Sequence, residues 1–244
     1  MTCLWFLLLG SVSGILSTLV ALHLPATIER DAAAEHARRA PRRARRCSGY
    51  RGRATACLAD AGHIAFLLPR LVATCMIAAL CACAAFGPTL AGCAASLLGA
   101  CLATAGTIDL EHHLLPDAIT LPLLWAGLAL NLVEVFAPLP DAVVGALVGY
   151  LLPWTLGQLF RLLRGLEGMG YGDFKLLAAL GAWLGWEAVP WIIAISSVAG
   201  AIVAIALIAS GCKKAAEPIP FGPFIAFAAI AVIYWPFVSP HLLQ

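Results

Sequence analysis

Two stretches of this chain place carboxylates where apolar segments begin or end. Gly168-Met-Gly170-Tyr-Gly172-Asp173 runs straight into the apolar run from Phe174 to Trp186. Upstream, Ile108-Asp109-Leu-Glu111-His112-His113-Leu-Leu-Pro116-Asp117 joins two further apolar segments. An acid at the mouth of a membrane helix is costly unless it has work or a partner. Two of them, brought from different helices to one depth, suit peptide hydrolysis. The ionised member takes a proton from an attacking water, and the protonated member donates to the carbonyl oxygen. Carboxyl groups in close contact do not both ionise readily, so their pKa values split and the pair titrates as a unit. Asp109 and Asp173 are the candidate catalytic pair. Side chains at 170 and 172 would obstruct an extended peptide lying against the backbone, and glycine also permits a tight turn with positive φ. The plainer reading of this stretch is a glycine-rich turn with Asp173 as an N-cap.

The elements that must bring these acids together are membrane helices. Hydrophobic residues make up 62% of the 244 and charged residues 11%, against about 45–50% and about 25% in soluble domains. The mean hydropathy is +0.93. Apolar segments fall at 3–24, 64–86, 90–108, 118–136, 141–160, 174–189, 191–211 and 219–238, each near the length of one span. Gly87-Pro88, Pro138-Leu-Pro140, Pro190 and Pro218 separate them. The sequence therefore predicts an all-α polytopic bundle of about eight spans. Met1-Thr-Cys-Leu-Trp has no basic region before its apolar run, and reads as a retained span rather than a cleaved signal.

Orientation follows from lysine and arginine. Nine arginines lie between Arg30 and Arg53, and Arg70, Arg161, Arg164, Lys175, Lys213 and Lys214 stand at span ends. With eight spans all of these fall on one face, the cytoplasmic one, which leaves both termini external. The same count puts Asp109, Asp117 and Asp173 on the cytoplasmic face. Three regions result: a first span over 1–25, a short basic loop over 26–63, and the helical core over 64–244. The loop's arginine run is read as a topology signal beside anionic lipid rather than a nucleic-acid site. Six of the nine cysteines sit in apolar runs, as small hydrophobes do.

The residues also carry a family resemblance. Ile108-Asp109-Leu, Leu115-Pro116-Asp117 and the following Ala-Ile-Thr-Leu-Pro-Leu-Leu-Trp125 resemble the first signature of bacterial type IV prepilin peptidases. Gly168-Met-Gly170-Tyr-Gly172-Asp173-Phe-Lys175-Leu-Leu-Ala-Ala-Leu-Gly181 resembles their second, and Pro218-Ile-Pro220-Phe-Gly-Pro223 their approach to the last helix. The resemblance covers residues 105–229. It implies a membrane aspartyl protease with Asp109 and Asp173 as the catalytic pair, in the inner membrane, with its site on the cytoplasmic face. Its substrates would be prepilins and pseudopilins, cut after a glycine that ends a short basic leader. Asp117, Glu111 and Glu167 are candidates to receive that leader, Lys175 either to contact substrate or to anchor its helix. His112 and His113 read as interfacial polar residues rather than ligands.

The pattern also departs from the family. Its larger members N-methylate the new terminus with S-adenosylmethionine, and carry two C-x-x-C pairs suited to zinc. Here the loop is short and holds Cys47 and Cys57, which alone do not close a four-ligand site, so no metal is expected. Thr18 and His23 stand near where that family's opening motif has asparagine and arginine. The sequence thus predicts cleavage, which needs no cofactor, without methylation or with very little. Two other readings stay open: an inactive relative acting as an assembly scaffold, and an intramembrane proton or solute pathway. The latter predicts acids near mid-span, whereas these lie at span ends.

Overall fold

A computed structural model describes residues 8, 10–16, 20, 53–164, 170–210 and 219–238. Seven helices are delimited: α1 (Arg53–Phe86), α2 (Leu90–His112), α3 (Asp117–Leu130), α4 (Leu139–Arg164), α5 (Tyr171–Leu184), α6 (Ala188–Ala209) and α7 (Gly222–Val238). Residues 10–16 are helical as well, and no strand occurs among the described residues. The fold is all-α. Pro69–Phe86, Leu90–His112, Leu139–Leu163 and Ala188–Ala209 are long and apolar enough to cross a membrane, and Asp117–Val133 and Gly222–Trp235 are shorter apolar helices. The protein is a multi-pass membrane protein. Residues 26–52 of the basic loop, with Cys47, and Thr18, His23, Glu167 and Gly168 lie outside the described residues; the rest of that loop, from Arg53 and including Cys57, belongs to α1.

The breaks between helices follow backbone chemistry. Gly87 takes φ 64°, and the Thr89 hydroxyl caps α2 by accepting the Gly92 N–H at 3.2 Å. His113 ends α2 in the left-handed region at φ 52°, and Pro116 precedes α3. Between α5 and α6 the break lies elsewhere than the sequence suggested. Pro190 was the expected separator, but it sits in the first turn of α6, where a missing N–H costs nothing. The chain turns at Gly185 instead, with φ 83°. α2 also runs one turn past the expected end at residue 108, so Asp109 lies within its last turn.

α5 is the helix the others enclose. All of Asp173 to Trp183 except Lys175 is buried. It packs most extensively on α4 and α3, and also touches α6 and α7. The contact with α4 is backbone on backbone. A Cβ at Gly145 would strike the Gly181 carbonyl, one at Gly149 the Leu177 carbonyl, and one at Gly181 the Gly145 carbonyl. Such close approach requires small residues, spaced here as Gly145-x-x-x-Gly149. Against α3, Trp183 lies over Gly127 and donates its indole N–H to the Leu123 carbonyl at 2.7 Å.

At 14 residues, α5 is about 21 Å long, short of the roughly 30 Å hydrocarbon core. Its far end therefore stops inside the bundle, where free carbonyls need partners. Asn131, 0% exposed, supplies them. Its amide nitrogen donates to the Ala182 and Trp183 carbonyls at 2.9 and 3.0 Å. Its amide oxygen accepts the Phe136 and Ala137 N–H groups at 3.1 and 3.3 Å. One side chain thus closes the end of α5 and shapes the turn before α4.

Candidate active site

The other end of α5 meets the end of α2. Asp173 stands in the first turn of α5 and Asp109 in the last turn of α2, and both are buried, at 8% and 5% exposure. Here the structure brings together the two acids that the sequence singled out. Asp173 lies outside the four long membrane-spanning segments. Burial, and then the charge of Asp109, push its carboxyl up from the usual carboxylate range to about 7, with the Gly170 backbone N–H opposing them. Asp109 receives the Gly222 N–H on Oδ2 at 2.8 Å, so the mouth of α7 forms a third wall.

The glycines of the second motif are explained by close approach. Gly170 precedes α5 with φ −72°, and Gly87 and Gly185 are the described glycines with positive φ, so the tight-turn reason does not apply at 170 or 172. A Cβ on Gly172 would lie 2.7 Å from the Leu115 Cβ, and one on Gly170 would lie 3.5 Å from Asp173 Oδ2. Gly172 lets the first turn of α5 settle on the 113–116 turn that leaves α2. Gly170 stands directly beside the Asp173 carboxylate.

Lys175 and Asp117, assigned separately in the sequence, form one ion pair. Lys175 Nζ reaches both carboxylate oxygens of Asp117, at 2.6 and 2.7 Å. The pair ties the mouth of α5 to the mouth of α3 across 58 residues of sequence. Glu111 points elsewhere. Its carboxylate lies 4.0 Å from His112 Nε2, and it lines a cavity of about 310 Å³ with Arg70, Leu71, Thr74, Thr107 and Leu110. Among the described residues, no group of three or more His, Cys, Asp or Glu side chains is placed to hold a metal ion.

Sequence reasoning missed Gly222 and Asn131. A backbone donor leaves no mark in the sequence, and an asparagine within an apolar run matches no motif. The Phe221-Gly222-Pro223 run was noticed, but as the approach to a helix and not as part of the acid pair's surroundings.

An arrangement of this kind can hold a water and a scissile carbonyl between two acids that differ in protonation. Residues 96–205 match the type IV leader peptidase family. The chain is 53% identical over 152 residues to a protein named prepilin leader peptidase/N-methyltransferase from Burkholderia pseudomallei (strain 1026b), which covers 62% of this chain and 49% of that one. Proteins of the same name from Aeromonas salmonicida (strain A449) and Stutzerimonas stutzeri are 54% and 51% identical, over 58% and 52% of this chain and 49% and 44% of theirs. The chain thus spans about half the length of the curated relatives it matches. No solved structure matches it.

Proposed function

We propose that this chain, whose residues 96–205 carry the type IV leader peptidase family's segment, is an aspartyl endopeptidase that removes the leader from type IV prepilins and pseudopilins. The observation that carries this reading is the buried pair Asp109 and Asp173, held on separate helices at one end of the bundle. Asp109, with the Gly222 N–H on one oxygen, is the ionised member and general base. Asp173 is the protonated member, as its raised affinity for a proton favours. Water attacks the scissile carbonyl carbon while passing a proton to Asp109, and Asp173 gives its proton to the carbonyl oxygen. The tetrahedral species then collapses, the C–N bond breaks, and the amine leaves with the proton held by Asp109. The hydroxyl proton returns to Asp173, which restores the starting state.

Gly170 gives the substrate backbone room beside Asp173, while Gly172 seats the start of α5 on Leu115. The exposed side of Asp117 receives the basic leader, with Lys175 holding Asp117 in place and available to the substrate when the pair opens; Glu111, turned to the Arg70 cavity, is given no part in it. The site faces the cytoplasm in the bacterial inner membrane, with both termini outside. Lys175 and the arginines at 161 and 164, all at the acid end of the bundle, support that face. No nucleic acid partner is proposed. Cleavage needs no cofactor. We assign no residue to S-adenosylmethionine, and the enzyme cuts with little or no methylation.

One experiment tests these statements together. Purified protein is mixed with a prepilin and labelled S-adenosylmethionine, and the product's mass and label are measured. Cleaved, unlabelled product is expected from the wild type, in a run where a methylating relative labels the same pilin. Stoichiometric label on the mature first residue would refute the statement on methylation. Asp109→Asn and Asp173→Asn should each insert, fold and lose cleavage. Cleavage near the wild-type rate in either variant would remove that acid from the mechanism.

A further inference from the structure

The mouth of α7 offers few donors. Gly222 opens the helix, Pro223 has no N–H, and the Phe224 and Ile225 N–H groups both turn back to the Phe221 carbonyl, at 3.1 and 3.2 Å. That leaves Gly222 as the one main-chain donor of this turn directed outward, and it donates to Asp109 Oδ2 at 2.8 Å. The space is as restricted as the bonding. A Cβ on Gly222 would lie 2.8 Å from Asp109 Oδ2 and 3.1 Å from both its Cβ and its Cγ. No real Cβ tolerates the first of these distances, so any side chain at 222 displaces the carboxylate. A hydrogen bond to an ionised acid is also about twice as strong as a neutral one, and the N-terminus of a helix favours negative charge.

We propose that Gly222 is a positioning residue of this site: its main-chain N–H fixes the Asp109 carboxylate, and its lack of a side chain leaves that carboxylate its working place. The last helix is thereby part of the acid pair's support, and the Phe221-Gly222-Pro223 run is a one-donor clamp. This inference rests on the reading of Asp109 and Asp173 as the catalytic pair. The titratable groups facing Asp109 are Asp173 on α5 and His113 at the end of its own helix.

Three variants separate positioning from mere packing. Replacing the Gly222 residue by glycolic acid, through nonsense suppression, exchanges the N–H for an ester oxygen and adds no atoms. We expect kcat to fall about 10–100-fold at unchanged KM, the loss of one bond to a charged group. Gly222→Ala keeps the donor and pushes the carboxylate aside, with an expected loss in kcat of about 100-fold. Gly99→Ala is the control. Its Cβ would meet the Ala78 Cβ at 2.8 Å between α2 and α1, so it strains packing without touching the pair and should keep wild-type kcat per folded molecule. A glycolate variant with wild-type kcat overturns the proposal, and so does an equal loss of kcat in Gly99→Ala and Gly222→Ala. Should Gly222→Ala not fold, the ester decides alone. A readout independent of turnover is the amide proton of ¹⁵N-labelled Gly222, which should move upfield in Asp109→Ala. An unmoved signal refutes the clamp even if the wild type cuts no prepilin, whereas absence of cleavage with a shifted signal refutes the functional reading alone.

Discussion

Replacing Asn131 by alanine removes four hydrogen bonds from a position that is 0% exposed. The Ala182 and Trp183 carbonyls at the end of α5 and the Phe136 and Ala137 N–H groups before α4 all lose their partner. At about 1 kcal/mol net for each bond, with a further penalty for those groups that stay dry, the loss is about 3–5 kcal/mol. Phe136 is half-buried, so water reaches part of this set and keeps the figure from rising further. For a chain of this size each kcal/mol moves a melting temperature by about 2–4 °C, which gives a fall of about 10 °C. Thermal unfolding of the detergent-purified protein measures it. Asn131→Asp should do no better than alanine, because a carboxylate there faces two carbonyl oxygens. Cleavage per folded molecule should be unchanged at low temperature, since Asp173 lies at the opposite end of α5 and is fixed by the Gly172–Leu115 contact and the Lys175–Asp117 pair. A melting temperature within about 2 °C of wild type would refute the account of how α5 ends. Normal stability with impaired cleavage would instead place Asn131 in the chemistry.

Three further outcomes follow from the same geometry. The Asp173 carboxyl, pushed up to about 7, is protonated below that pH and ionised above it. As the general acid it should therefore lose activity tenfold per pH unit on the alkaline side of about 7, and a rate that stays flat to pH 9 would exclude it from that role; the apparent values belong to the pair. Gly181→Ala puts a Cβ against the Gly145 carbonyl and 3.1 Å from the Ala146 nitrogen, where neither backbone can yield, and should destabilise by about 3 kcal/mol. Gly106→Ala, whose Cβ would lie 3.6 Å from the Pro223 Cα, should leave the melting temperature unchanged or higher. Equal melting temperatures for Gly181→Ala and wild type would dismiss the glycine seam.

What the sequence made legible was the chemistry carried by side chains in ordered motifs. Asp109 and Asp173 stand out because acids are expensive in apolar surroundings, and that cost is written in residue types. Helix positions were legible from hydropathy, but the α5–α6 break was not. A proline in a first helical turn and a proline between helices look the same in a sequence, and the deciding feature was the positive φ of Gly185. The Lys175–Asp117 pair was read as two separate residues because nothing in a sequence joins positions 58 apart. Gly145-x-x-x-Gly149 did carry a readable signal, small residues one helical turn apart, and it points to the face on which α5 rests.

The shortness of α5 bears on how the protein is made. A 14-residue segment carrying Asp173 and Lys175 is a poor candidate for release into lipid on its own hydrophobicity. α4, with its 25-residue apolar stretch Leu139–Leu163, leaves the ribosome first and presents the glycines on which α5 rests. α5 is therefore expected to enter the bilayer together with α4, on whose glycines it rests, with Asp173 staying at its mouth. A lesion at Gly145 or Gly149 would then act during synthesis, leaving α5 in the aqueous phase and the nascent chain open to quality-control proteolysis before any active site exists.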